Sequence, residues 1–242
     1  MNPDFLILCA TYFEVSHFLA SCPGNSKKIT KTGLTIISGR VRNKTYDLII
    51  TGPGVFNTAH ALTAYLEKSS PALVLQTGIA GVFQQAGHNI GDVAIATREQ
   101  YIHTGVQAKS IENDPLPFDL IAKKPLTRKG IYLFEQKRVD HFHGVLSFAV
   151  KKENINIIKG PFITVSSITS SFKLADQLYQ AFSSPVMEAM EGAASSHTAA
   201  LYNVPVIEIR SASNFAGEKD KSKWDIDHAV KQLGRVLTLI SQ

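Results

Sequence analysis

Two acidic residues stand just past short apolar runs that read as strands. Glu14 follows residues 5–10 (FLILCA), and Glu191 sits in Met190-Glu191-Gly192-Ala193-Ala194. A polar group of another kind, Asn214, closes Arg210-Ser211-Ala212-Ser213-Asn214 after a third such run. Two glycine-rich stretches, Thr51-Gly52-Pro53-Gly54 and Gln76-Thr77-Gly78-Ile79-Ala80-Gly81, let backbone N–H groups approach a ligand closely. Two isolated carboxylates and an amide, gathered with such backbone, suit cleavage of a bond to a sugar through an oxocarbenium-like transition state. One carboxylate activates water, the other holds ribose hydroxyls, and the amide stabilises the departing base. Each residue alone also has a plainer reading. An acid is comfortable in the first turn of a helix, and asparagine closes turns on its own backbone. No Ser/His/Asp order, paired-cysteine zinc site or phosphate-binding loop of the Walker type competes.

These groups need a frame, and the chain is long enough to supply one. Its 242 residues can bury a sizeable core and are most simply one domain, 1–242. No apolar run approaches the roughly 20 residues of a membrane helix, and the N-terminus lacks the basic region of a signal peptide. Cys9 and Cys22 make no disulfide framework, so a reduced, cytoplasmic setting is expected. The net charge of +5 is concentrated in residues 123–138, with Lys123, Lys124, Arg128, Lys129, Lys137 and Arg138. That segment has no interleaved aromatic platform, so a solvated face is expected there rather than a nucleic-acid surface.

Strands are predicted at 5–10, 34–38, 46–51, 73–75, 93–97, 161–167 and 206–209, with residues 185–190 leading into Glu191. Helices are predicted at 14–20, 55–68, 172–182, 195–202 and 225–240, the last from Ile226, Val230, Leu233, Leu237 and Ile240. The stretches beginning at Gln76 and Arg210 read as loops after strands, where open α/β sheets hold their ligands. From 102 to 156 the pattern is weak, and excursions and loops are expected there. His141 and His143 in that region are two apart, with no third metal ligand evident nearby.

Glu14, the Thr77-Gly78-Ile79-Ala80-Gly81 stretch, Met190-Glu191-Gly192 and Ser213-Asn214 together resemble the purine nucleoside phosphorylase and nucleosidase superfamily, along essentially the whole chain. The run Arg210-Ser211-Ala212-Ser213-Asn214, followed by Gly217, Asp220 and Trp224, is most similar to its futalosine hydrolase branch. The resemblance implies a three-layer α/β fold with a mixed central sheet flanked by helices, and a homodimer or larger homo-oligomer. It implies hydrolysis of futalosine to hypoxanthine and dehypoxanthine futalosine in menaquinone biosynthesis, with no metal or organic cofactor and neither nucleic acid nor membrane as partner.

Carried over position by position, Glu14 falls where related nucleosidases keep the water-activating carboxylate. Met190 and Glu191 fall where they pack against the ribose and bind its hydroxyls, and Thr77, Gly78, Ile79 and Ser213 line the substrate. Asn214 stands where adenine-specific nucleosidases carry an aspartate. An amide cannot protonate the base, but it can donate to a 6-oxo group and accept from N7–H. Water or Asp220 is then left to protonate the leaving base, and Asp220 equally suits a loop cap. Phosphorylases place an arginine in the loop that here begins Gln76-Thr77, so water is the expected nucleophile. Ile79 replaces a serine of the adenine nucleosidases. The alternatives are a methylthioadenosine/S-adenosylhomocysteine-type nucleosidase, a 6-oxopurine nucleoside phosphorylase, or a nucleoside-binding protein without turnover.

Overall fold

The computed structural model describes residues 2–121, 130–153 and 155–241. At its centre is strand β1 (Phe5–Cys9), five apolar residues that are all buried. Side chains alternate between the two faces of a strand. Phe5, Ile7 and Cys9 therefore join one core, and Leu6 and Leu8 join the other.

On one flank β1 pairs in parallel with β4 (Lys44–Ile50), which continues antiparallel to β3 (Thr35–Val41) and then to β2 (Ser26–Ile29). On the other flank it pairs in parallel with β5 (Leu73–Val82). Beyond β5 lie β9 (Met187–Ala189), β8 (Ile157–Thr164), β6 (Val93–Tyr101) and β10 (Val206–Phe215). The last of these returns to pair with β5 along nearly its whole length. Five strands thus close on themselves, and a short β7 (Ile131–Leu133) pairs with β6 outside the ring.

Helices cover both faces. Helices α2 (Val55–Leu66) and α5 (Gly192–Tyr202) pack on the face of Leu6 and Leu8 through Ala61, Leu62, Tyr65, Leu66 and Ala199. Phe18 of α1 (Ser16–Ala20), Val139 and Phe142 of α3 (Gln136–Ala149), and Leu233 and Val236 of α6 (Ile226–Leu237) join the core of the other face. Helix α4 (Phe172–Ala181) contributes Ala175 and Leu178 to a smaller cluster with Phe83 and Ile163. The architecture is the expected mixed α/β sheet flanked by helices. No helix among the described residues is long and apolar enough to cross a membrane.

Two expectations are corrected. The stretches read as loops, from Gln76 to Gly81 and from Arg210 to Asn214, are continuations of β5 and β10. Their small and polar residues look like turns, yet each pairs with the other strand through a bulge between Ala212 and Asn214. The weak region from 102 to 156 contains β7 and α3. His141 and His143 lie on α3, where residues two apart point roughly 200° apart around the axis and cannot share an ion. Lys123, Lys124, Arg128 and Lys129 lie outside the described residues. Lys137 and Arg138 stand on α3, and Arg138 pairs with Glu135 at 3.0 Å.

Candidate active site

The strands β1, β5, β9 and β10 end around a cavity of about 420 Å³ whose lining includes Glu14, Ile79, Gly81, Met190, Glu191, Ser213 and Asn214. Glu14 lies in the single 3-10 turn after β1, buried despite its charge. Its Oε2 accepts from the Thr11 backbone N–H and hydroxyl, both at 2.8 Å, and its Oε1 accepts from the Ile79 N–H at 3.0 Å. These three donors, with the Cys9 thiol 3.5 Å from Oε2, fix the carboxylate while leaving it at the cavity wall. Gly78, at φ +147, makes this possible, because a Cβ there would stand 2.6 Å from Glu14 Oε1.

Glu191 is fixed from three other directions. Its Oε1 accepts from the Gly54 N–H at 2.9 Å, and its Oε2 accepts from the Met190 N–H at 3.3 Å. The same Oε2 lies 3.0 Å from Arg210 Nη2. The glycine-rich turn before α2 therefore serves the site by holding Glu191 in place.

Arg210 is the site residue that sequence reasoning passed over. It is among the largest fully buried side chains, 1% exposed, and it stands in the middle of β10. Its Nε donates to Glu208 Oε1 at 2.7 Å, and its Nη1 donates to the Ile79 carbonyl at 3.2 Å. Burial pulls the guanidinium pKa down, but the carboxylates of Glu208 and Glu191 outweigh that and hold it above its ordinary value. A charge so deeply buried is tolerable only because it is paired on several sides. Glu99 lies behind it, its Oε1 accepting from the Thr164 hydroxyl at 2.8 Å. Burial, and then the facing Glu208 carboxylate, push the Glu99 carboxyl well above the usual range. The one available signal was an arginine immediately following an apolar strand run.

At the other end of the cavity, Asn214 accepts from the Ser213 hydroxyl at 2.8 Å and donates to the Phe215 carbonyl at 3.0 Å. One amide hydrogen and one oxygen lone pair remain for a ligand. Trp224 and Ile226 close this end from the segment leading into α6, and Phe13 and Ile168 stand at its edge, half-exposed.

Three candidate residues fall off the cavity lining, and the first is Gly78, which makes room for Glu14 without itself reaching the cavity. Asp220 lies off the cavity lining, exposed, with its carboxylate accepting from the Ser222 N–H and hydroxyl at 3.0 and 2.7 Å. It is a cap for the short turn before Trp224, away from the cavity. Thr77 is wholly buried and donates its hydroxyl to the Ile209 carbonyl at 2.8 Å, joining β5 to β10 rather than facing the cavity.

The sequence model of the Phosphorylase superfamily matches residues 4–241. The 5'-methylthioadenosine/S-adenosylhomocysteine nucleosidase of Maridesulfovibrio salexigens is 28% identical over 189 residues, covering 78% of this chain and 76% of that protein. The enzyme of that name from Halalkalibacterium halodurans is 26% identical over 212 residues, covering 88% and 86%. Among solved structures, the S-adenosylhomocysteine nucleosidase of Streptococcus pyogenes, in complex with 5-methylthiotubericidin, superposes with a TM-score of 0.81 at 24% identity, covering 99% and 96%. The Neisseria meningitidis methylthioadenosine/S-adenosylhomocysteine nucleosidase, in complex with methylthio-immucillin-A, gives 0.82 at 18% identity, covering 98% and 97%. The structural likenesses establish the fold, and the family match spans nearly the whole chain.

Proposed function

This chain belongs to the phosphorylase superfamily, and from that premise we propose that it is a nucleosidase, hydrolysing the N-glycosidic bond of a purine nucleoside. The observation that carries the reading is the pair Glu14 and Glu191, both buried, both fixed by backbone donors, and both facing one cavity. Glu14 takes the proton of the attacking water, and Glu191 binds the ribose hydroxyls, whose hydrogen bonds tighten as positive charge grows on the sugar. Arg210 braces Glu191 and the strand end beside Glu14. The described cavity lining carries no lysine, arginine or histidine to bind phosphate, which favours water as nucleophile.

Relatives named methylthioadenosine/S-adenosylhomocysteine nucleosidase make that type of substrate the first assignment. A second reading, a 6-oxopurine nucleoside such as futalosine, is favoured by Asn214 alone. Once N7 is protonated, adenine presents two donors on that edge, which suit a carboxylate. Hypoxanthine presents one donor and one acceptor, which suit an amide.

The test is base release from methylthioadenosine, S-adenosylhomocysteine, inosine and futalosine, each with and without phosphate. Release independent of phosphate is expected, and the identity of the preferred base decides between the two readings. Strict phosphate dependence would replace the nucleosidase by a phosphorylase.

A further inference from the structure

The role of Asn214 leaves one chemical requirement open. A purine departs far more readily when a ring nitrogen gains a proton, and an amide has none to give. Asp220, the other carboxyl considered for that task, lies off the cavity.

Strand β9 supplies a different carboxyl. Glu188 lines the same cavity and is 3% exposed. It stands across Gly81 of β5, and Gly81 stands beside Asn214 of β10, so the three residues form one row across the sheet. Side chains paired across a sheet project to the same face. A Cβ placed on Gly81 would lie 3.3 Å from Glu188 Cγ and 3.4 Å from Asn214 Nδ2. Both side chains therefore lean over the one position in the row that has none. That leaves the carboxyl and the amide side by side on the cavity lining.

We propose that Glu188 is a further catalytic residue, the group that delivers a proton to a ring nitrogen of the departing base across Gly81 from Asn214. The assignment rests on the nucleosidase reading. In the step, the C1'–N9 bond breaks and its electron pair leaves with the purine. The Glu188 proton passes to the purine, directly or through one water. The water oxygen bonds to C1', and its proton passes to Glu14. Glu188 ends as a carboxylate and Glu14 as an acid, and proton exchange with solvent resets both.

The surroundings fit the role. Thr169 donates its backbone N–H to Glu188 Oε1 at 3.1 Å and its hydroxyl to Oε2, fixing the carboxyl plane while each oxygen keeps a second site. Burial raises the Glu188 pKa, against those two hydrogen bonds. The groups set round it are uncharged: Thr169 from the loop after β8, Ile163 of β8, Gly81 of β5 and Asn214 of β10.

The experiment compares wild type and Glu188→Gln on two kinds of substrate. One is the purine nucleoside that the wild type cleaves best among those named above, and the other is p-nitrophenyl β-D-ribofuranoside, whose phenolate leaves without a proton. Glu188→Gln is expected to lose about 10²–10⁴-fold in kcat on the nucleoside and to keep the p-nitrophenyl rate within a few-fold. Equal losses on both substrates would mean a structural role and overturn the assignment, as would an undiminished nucleoside rate. The wild-type pH profile is the second measurement and needs no variant. Because the acid must be protonated, kcat on the nucleoside should fall as pH rises through the raised Glu188 pKa, and a profile with no fall on its alkaline side would overturn the role. Wild-type protein that released no base at all would overturn the nucleosidase reading itself, and this role with it.

Discussion

Arg210 Nη2 stands 3.0 Å from Glu191 Oε2, while the same guanidinium gives its Nε to Glu208 at 2.7 Å. One buried cation on β10 thus ties the carboxylate at the head of α5 to a carboxylate two residues back on its own strand. The Nη2–Glu191 contact is an ion pair off the hydrogen-bond direction, so the directed bond is the one to Glu208. Arg210→Lys keeps the charge and loses that fork. A charge-assisted hydrogen bond is worth about 1.5–3 kcal/mol, and the urea midpoint should fall by a corresponding amount. Base release should weaken as well, because Glu191 loses its brace. A variant as stable and as active as the wild type would show that Arg210 fixes nothing.

Glu14→Gln removes the base and keeps the shape. The single amide oxygen can replace only one of the two carboxylate oxygens, so either the Thr11 donors or the Ile79 N–H lose their acceptor and some stability is lost, while the shape that ligand binding needs is kept. Turnover is expected to drop about 10²–10⁴-fold. Calorimetric titration of the substrate alongside steady-state rates separates the two effects, and wild-type kcat would remove Glu14 from the chemistry.

Asn214→Asp tests what reads the base. A carboxylate facing the 6-oxo group puts like partial charges together, and loss of one buried complementary contact costs about 1–3 kcal/mol. The ratio of kcat/KM for futalosine to that for its 6-amino counterpart should therefore fall at least about tenfold, which corresponds to about 1.4 kcal/mol. An unchanged ratio would leave Asn214 as no more than a bonding partner of Ser213 and Phe215.

Gly192 opens α5 at a point where two acids meet. A Cβ there would stand 2.2 Å from Glu208 Oε2 and 2.5 Å from Glu99 Oε2. Gly192→Ala should destabilise the protein by about 1–3 kcal/mol through overpacking. Gly144 of α3 has nothing within 4 Å of the same position, so Gly144→Ala should stabilise by about 0.5–1 kcal/mol. Opposite shifts in the urea midpoint are the expected result, and shifts of the same sign would refute the packing argument.

Asp4 links the start of β1 to the start of β4. It accepts from the Thr45 N–H and hydroxyl, both at 2.9 Å, and pairs with Lys44 at 3.0 Å. The Thr45 N–H, then Lys44, lower its pKa from 3.8 to about 2. A depressed carboxyl pKa stabilises the fold above the unfolded value and ceases to do so as pH falls through the folded one. Asp4→Asn should therefore unfold below the wild-type Tm at pH 7. The gap should narrow between pH 4 and pH 2, and a gap that widened on acidification would contradict the assignment.

Much of this protein could be read from its residues in order. Leu6, Leu8 and their neighbours mark β1, the 3.6-residue period of Ile226, Val230, Leu233 and Leu237 marks α6, and Glu14, Glu191 and Asn214 stand out as polar groups where apolar strands end. Such signals are local, because side-chain periodicity and the chemistry of a turn are set within a few residues. The run from Arg210 to Asn214 misled on that same ground, since its small and polar residues have the composition of a loop. Only pairing with β5 on one side and β6 on the other makes it a buried strand.

Which acids share the cavity is likewise not a local property. Asp220 follows Asn214 closely in the chain yet caps an exposed turn, whereas Glu188 faces Gly81 across a strand pairing that spans more than a hundred residues. Closure of β5, β10, β6, β8 and β9 into one ring sets those registers, and a one-residue slip would turn Glu188 to the opposite face. The sequence by itself determined the residue types and most of the elements. The tertiary structure alone decided that Arg210 and Glu188 join Glu14, Glu191 and Asn214, because cross-strand register depends on contacts that no stretch of chain contains.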